Sequence, residues 1–274
     1  MKGSIQMRKV AALGLLAASL LPVALGGCAT TGINRGQMNM VSSDEEVKLG
    51  QEMSVEVAKQ YPIYENAAVT AYVQAVGDKI VQNSDRKDIA YHFAVISQNT
   101  VNAFSLPGGY VYAYTELMKA ADDEAEFAAV IAHEVAHVAA RHSTERLTQQ
   151  YGYQFLSGLV LGKDPNTTAK LITDLAATGG FLKYGRDDEY EADRLGAKYL
   201  YAAGYDPQAM VDFLDKLKAL ETSEPSKFET WLMTHPPASD RVARVKTEVA
   251  GFPKLANPVR NATAYAGIKA QLPK

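Results

Sequence analysis

The spacing of apolar positions changes along the chain, and each change marks a different kind of segment. Residues 10–25, "VAALGLLAASLLPVAL", form an uncharged apolar run behind Lys2, Arg8 and Lys9. The run is shorter than the roughly 18 residues a spanning helix needs, and Pro22 interrupts it. A basic start, an apolar middle and a small-residue end read as a secretory signal peptide over residues 1–27. Residues 28–43 are polar and glycine-containing, the composition of a flexible tether. From Asp44 onward, Val47, Leu49, Met53, Val57 and Ala58 recur at mixed three- and four-residue steps behind a Ser/Asp start, which predicts a helix. Val69, Tyr72, Val73, Val76 and Ile80 predict a second one.

The period then shortens. "IAYHFAVIS", "TVNAFSLPGG" and "YVYAYTELM" are rich in β-branched and aromatic residues, and Pro107-Gly108-Gly109 separates the last two. They predict three short strands, two of them joined by that turn. His92, between Tyr91 and Phe93, reads as a structural strand histidine. Beyond Asp122 the pattern is helical. Asp123 and Glu126 stand at capping-box spacing before a long run. Broken helices follow over 145–184, with a turn at 163–166, and further helices are expected near 187–203, 207–221 and 237–250. The expected architecture is α+β and mainly helical, one domain over residues 44–252 with a C-terminal tail over 253–274.

Inside the long helical run, residues 128–142 read "AAVIAHEVAHVAARH". An unpartnered polar group inside an apolar helix costs a few kcal/mol, about 2–7, so three polar side chains there need a common partner. His133 and His137 are one helical turn apart, and two imidazoles at that spacing suit one zinc ion at about 2.0–2.1 Å. Glu134 lies about 100° round the helix from His133, where it flanks the metal face and reaches a water rather than the metal. H-E-x-x-H on a helix is the zincin pattern, with the glutamate as general base.

Catalytic zinc needs a third protein ligand. "YGRDDEYEADRLGAKYL" offers Glu189 and Asp193 on one face at four-residue spacing, with Glu191 pointing about 200° away from Glu189. Glu189 on zinc and Asp193 bonded to the outer nitrogen of a ligand histidine is the preferred arrangement, with Glu191 as the other candidate ligand. His142 falls about 180° round from His133 on a continuous helix and so reads as structural or exposed.

Composition and charge narrow the partners. The chain has 274 residues, 47% apolar and 22% charged, enough for a sizeable core. Removing residues 1–27 takes away Lys2, Arg8 and Lys9 and no acid, moving the formal charge from −3 to about −6. No basic block remains, which argues against nucleic acid as a partner. Cys28, the only cysteine, closes "LGGC" and resembles a bacterial lipobox, so it is a candidate lipidation site; an ordinary signal with an incidental cysteine is the alternative. Ala29 rather than aspartate follows, which in that resemblance favours the outer membrane.

"NAFSLPGG", "HEVAHVAARH", "EYEAD" and "THPPASDR", taken together, resemble the zinc metallopeptidase family of HtpX and the CAAX prenyl endopeptidases. The likeness covers about residues 44–250 and is nearest to the soluble periplasmic lipoprotein branch of the BepA and LoiP kind. It implies a gluzincin-type fold, with a small sheet beside a zinc-bearing helix and a glutamate ligand from a later helix. It also implies one zinc per chain held by His133, His137 and Glu189, with Asp193 behind them. His235 of "THPP" would face the cleft, either as a transient ligand or as a donor to the oxyanion. A histidine with no chemical task before a proline turn is the alternative, and Arg241 reads as an ion-pair partner. The strand around Asn102, Ala103 and Phe104 is a candidate edge for pairing with an extended substrate backbone. Residues 176–185 read as a cleft cover or as mere connection.

The expected function is a lipid-anchored envelope metalloendopeptidase acting on unfolded or misassembled proteins. A periplasmic chaperone or outer-membrane assembly factor with latent proteolysis is the alternative, and a structural zinc lipoprotein is a third reading. Mass spectrometry of the N-terminus of membrane-extracted protein should find Cys28 acylated at the first mature residue. A free Cys28 thiol on that material would remove the anchor.

Overall fold

The computed structural model describes residues 33, 39–160, 184–223, 231, 234–235 and 239–274. The expected signal peptide, Cys28, the turn at 163–166 and most of the stretch 176–185 lie outside the described residues. Helix α1 (Ser43–Gln60) opens with a reciprocal box in which Ser42 Oγ accepts from the Glu45 N–H and Glu45 accepts from the Ser42 N–H. Helix α2 (Ala67–Val81) is capped by Asn66, whose side chain accepts from the N–H groups of Ala68 and Val69. Leu49, Met53 and Val57 of α1 and Val69, Val73, Val76 and Ile80 of α2 are buried, whereas Val47 and Tyr72 are half-buried and Ala58 is exposed.

Strands β1 (His92–Ile96), β2 (Ala103–Leu106) and β3 (Tyr110–Tyr114) form one sheet in the order β1-β3-β2. β1 runs parallel to β3, and β2 pairs antiparallel to β3 across a tight turn. Gly108 in that turn takes φ 72°, a left-handed conformation that glycine adopts without a Cβ clash. Residues 115–118 do not extend the strand, as their apolar content predicts, but begin helix α3 (Thr115–Ala120). Glu116, Leu117, Met118 and Lys119 are good helix formers, and a short apolar run does not reveal its period.

Helix α4 (Glu124–Ala140) is the centre of the molecule, and every one of its residues is buried. Asp123 caps it by accepting from the Glu126 N–H at 2.9 Å. The expected reciprocal bond is displaced by one residue: Glu126 accepts from the Asp122 N–H at 2.7 Å and also from Lys216 at 2.6 Å. The helices that follow are α5 (His142–Val160, broken at Gly152), α6 (Arg186–Ala202), α7 (Gln208–Ser223), α8 (Ser239–Ala250) and α9 (Ala262–Lys269). α4 packs against α2, α6 and α7 and against β2. It approaches α6 tightly at Gly196, where a Cβ would lie 3.1 Å from the backbone N and Cα of His133. The missing side chain lets α6 lie directly over the histidine-bearing turn.

Packing does not stop at residue 252. Tyr265 of α9 is fully buried, stacks on Phe127 at 5.9 Å and donates its hydroxyl to the Met118 carbonyl at 2.8 Å. Arg260 bonds Asp123, Asp206 and Asp212 at 2.6–3.1 Å. A single aromatic anchor and one arginine give no periodic signal, so the sequence pattern makes this stretch look like a tail. At the other end Val41 is buried, and Asn39 donates to Thr144 Oγ1 at 2.8 Å, so the last tether residues also dock. Gly196→Val should overpack the α4–α6 contact and lower stability by about 1–3 kcal/mol in a denaturant titration. An unchanged midpoint would show that the close approach is unimportant.

Candidate metal centre

The rise of α4 sets His133 and His137 one turn apart, with their Nε2 atoms 3.1 Å from each other. The first turn of α6 lowers Glu189 opposite them, placing Oε2 3.5 Å from His133 Nε2 and Oε1 3.4 Å from His137 Nε2. His235 completes the group, its Nδ1 lying 2.8 Å from Glu189 Oε1. All four side chains are buried, and one potential ligand atom from each lies within 4.8 Å of every other. Two ligands at about 2.0–2.1 Å from one tetrahedral ion stand about 3.3 Å apart, close to the spacing seen here.

The proton arrangement makes the same demand. Asp193 Oδ1 lies 3.0 Å from His133 Nδ1, off the straight line of a ring N–H bond, and favours a proton on that nitrogen. The inner Nε2 atoms then present lone pairs to one another and to a carboxylate. Among the described residues no donor bonds Glu134 Oε1 or His235 Nε2, and the Arg241 guanidinium meets Glu189 Oε2 only out of line. Buried acceptors converging with so few donors require a cation. An N,N,O donor set of this kind suits zinc, so these residues fit the ion.

Without an ion the electrostatics are lopsided. Burial by itself lowers the His133 pKa, yet Asp193 and Glu189 hold it up at about 9. Burial pushes His137 well below its ordinary value, and neighbouring His133 and His142 add to that. Burial raises the Glu189 carboxyl, but His235 and Arg241 outweigh it and keep the group ionised. Asp193 goes the same way, held at about 2 against burial chiefly by Arg241. Arg241 grips Asp193 with two bonds of 2.7 Å and brings Nη1 to 2.6 Å from Glu189 Oε2. One buried arginine thus steadies both Glu189 and Asp193.

Glu134 stands beside the cluster, fully buried. Its Oε2 accepts from Ser105 Oγ of β2 at 2.9 Å, while Oε1 faces His235 Nε2 at 3.5 Å. Tyr184 stacks on the His137 ring at 3.8 Å, and Trp231 on His235 at 4.4 Å. Neither aromatic, nor Ser105, belongs to any local motif around the histidines, so spacing alone could not find them. Just before β2, the Asn102 side chain accepts a bond from Thr234 Oγ1 at 3.5 Å. The bond from Tyr114 N to Asn102 O sets the ladder, so alternation turns the backbone groups of Ala103 and Ser105 away from β3. Asn102, Ala103 and Phe104 are themselves buried.

His142 is not where a continuous helix would carry it. α4 ends at Ala140, and Arg141 takes the left-handed conformation, φ 62° and ψ 28°. That reversal returns His142 to the site, buried, with its Nδ1 2.9 Å from His137 Nδ1. A non-glycine residue there costs about 1–3 kcal/mol. Glu46 of α1 offsets it, accepting from Arg141 Nε at 2.6 Å while also holding Arg86 at 2.9 Å. Arg141 further donates to the Val41 carbonyl. Glu191 lies outside the ligand group, 3.4 Å from His142 Nε2 and 3.2 Å from Arg194.

Comparison with known proteins places this geometry in a family. The model of "Peptidase family M48" matches residues 67–249. The chain is 30% identical over 219 residues to the beta-barrel assembly-enhancing protease of Escherichia coli K12, covering 74% of this chain and 44% of that protein. It is 31% identical over 212 residues to the protein of that name from Yersinia pestis, covering 74% and 43%. It is also 31% identical over 221 residues to the mitochondrial metalloendopeptidase OMA1 of Schizosaccharomyces pombe, covering 78% and 64%. The chain spans less than half the length of the two bacterial relatives. It belongs to peptidase family M48.

Elemental analysis after saturation with zinc and desalting should find about one zinc per chain in the wild type, and a smaller loss in Glu191→Ala than in Glu189→Ala. Glu189→Ala should lose most of it. The reverse ranking of the two glutamates would defeat the assignment of Glu189.

Proposed function

We propose that this family M48 chain is a zinc-dependent endopeptidase, with His133, His137 and Glu189 as the metal ligands and Glu134 as the general base. The observation that carries the reading is the state of Glu134. One of its oxygens is tied down by Ser105, and the other is free of donors at the edge of the acceptor cluster.

When bound, zinc supplies Lewis acidity, polarising a peptide carbonyl and acidifying water at neutral pH. Glu134 Oε1 takes the proton from the attacking water and passes it to the departing amine. Ser105 fixes the carboxylate so that the free oxygen keeps its aim. Asp193, braced by Arg241, holds the His133 ring in place. His235, anchored through Nδ1 on Glu189 and packed on Trp231, presents Nε2 on the same side as Glu134 Oε1. In its protonated form it donates to the developing oxyanion. The outward backbone groups of Ala103 and Ser105 pair with a substrate strand, which favours extended and therefore unfolded or flexible polypeptides. Asn102 and Phe104 flank that edge.

The first 28 residues and the relatives support an envelope setting. A lipidated Cys28 would tether the enzyme to the outer membrane facing the periplasm. Among the described residues no helix is long and apolar enough to cross a membrane. Two bacterial relatives carry the name beta-barrel assembly-enhancing protease, which supports unfolded or misassembled envelope proteins as substrates and outer-membrane assembly machinery as a partner. The same names support an assembly-factor role alongside proteolysis.

Glu134→Gln should lower casein cleavage by about 10²–10⁴-fold while zinc stays bound. Cleavage at the wild-type rate by that variant would overturn the enzymatic reading.

A further inference from the structure

"EYEAD" carries three acids in five residues, and the centre described above uses only two. Glu189 faces the ligand cluster and Asp193 backs His133, whereas Glu191 lies outside the ligand group, against His142. We propose that Glu191 and His142 form a two-residue relay that fixes His137 in the tautomer able to bind metal. The inference rests on the reading of His137 as a ligand through Nε2.

The direction of the relay follows from which atoms can donate. Glu191 Oε2 is a carboxylate oxygen and can only accept. The atom facing it at 3.4 Å is His142 Nε2, which must therefore carry the proton. A neutral His142 then has a lone pair on Nδ1, 2.9 Å from His137 Nδ1. That contact is a hydrogen bond only if His137 Nδ1 donates. His137 is left with its lone pair on Nε2, the nitrogen 3.1 Å from His133 Nε2 and 3.4 Å from Glu189 Oε1. The opposite polarity would set two acceptors against each other at Glu191 and place a proton where the ion belongs.

The two ligand histidines are thus oriented by different means. His133 faces α6, so Asp193 reaches its outer nitrogen directly. His137 turns its outer nitrogen toward the start of α5, beyond the reach of any α6 carboxylate. His142 bridges that gap, and it is available only because Arg141 reverses the chain. Glu46 on α1, by holding Arg141, thereby positions a residue it does not touch. Tyr184 lies flat on His137 and fixes the plane of the ring but not its flip, so the bond to His142 selects between the two flipped orientations. Outer partners of this kind change metal affinity about 10–100-fold when removed.

Two measurements on the full chain test the relay. The first is the imidazole tautomer in zinc-free wild-type protein, read by long-range ¹H–¹⁵N correlation. The second is zinc affinity by competition with a chromophoric chelator, for the wild type, His142→Phe and His142→Asn. Phenylalanine keeps the ring volume without an acceptor, and asparagine returns an acceptor near the position of Nδ1. The relay predicts His137 protonated on Nδ1 and His142 on Nε2. It predicts zinc binding weakened about 10–100-fold in His142→Phe and largely restored in His142→Asn. A proton on His142 Nδ1 would overturn it. So would wild-type affinity in His142→Phe, or an equal loss in both variants. A wild-type chain that binds no zinc would instead sink the metal-centre reading on which the relay stands.

Discussion

The structure depends on the meeting of buried electron pairs with too few protons to separate them. His133, His137, Glu189 and His235 turn acceptor atoms toward one small volume inside the molecule. The proton-bearing sides of the two helix histidines face outward, to Asp193 and to His142. Such an arrangement is unfavourable unless positive charge occupies its centre. The rise of His133 to about 9 is the response of an ion-free cluster, in which a proton supplies what a metal otherwise would.

Most of the fold can be understood as support for that convergence. α4 is apolar on every side because helices and sheet enclose it, so the only polar groups it carries are those the centre uses or those at its ends. The bare backbone of Gly196 lets α6 come close enough for a short glutamate side chain to reach across. Arg241 from α8 lies between Glu189 and Asp193 and offsets part of the repulsion between the two carboxylates. β2 contributes Ser105, which leaves Glu134 with one committed oxygen and one available. A base prepared in this way needs no rearrangement before it acts.

The parts of the site legible in the sequence are those fixed by a single helix. The one-turn spacing of His133 and His137, the flank position of Glu134 and the shared face of Glu189 and Asp193 all follow from 3.6 residues per turn. His142 illustrates the limit of that arithmetic. Counting round a helix holds only while the helix continues, and Arg141 ends it through contacts with Glu46 and Val41, some 95 and 100 residues away. Tyr184 and Trp231 reach the centre by tertiary packing, and Ser105, though inside the quoted "NAFSLPGG", has no spacing that ties it to Glu134. The α3 turn and the docking of Tyr265 were hidden for a related reason: a short apolar run and a lone aromatic carry no period.

X-ray absorption at the zinc edge of the zinc-loaded chain tests the central claim most directly. A shell of nitrogen and oxygen at about 2.0–2.1 Å, with the multiple-scattering signature of two or three imidazoles, is the predicted result. A spectrum without imidazole scattering, or one showing only a fully hydrated ion, would contradict it.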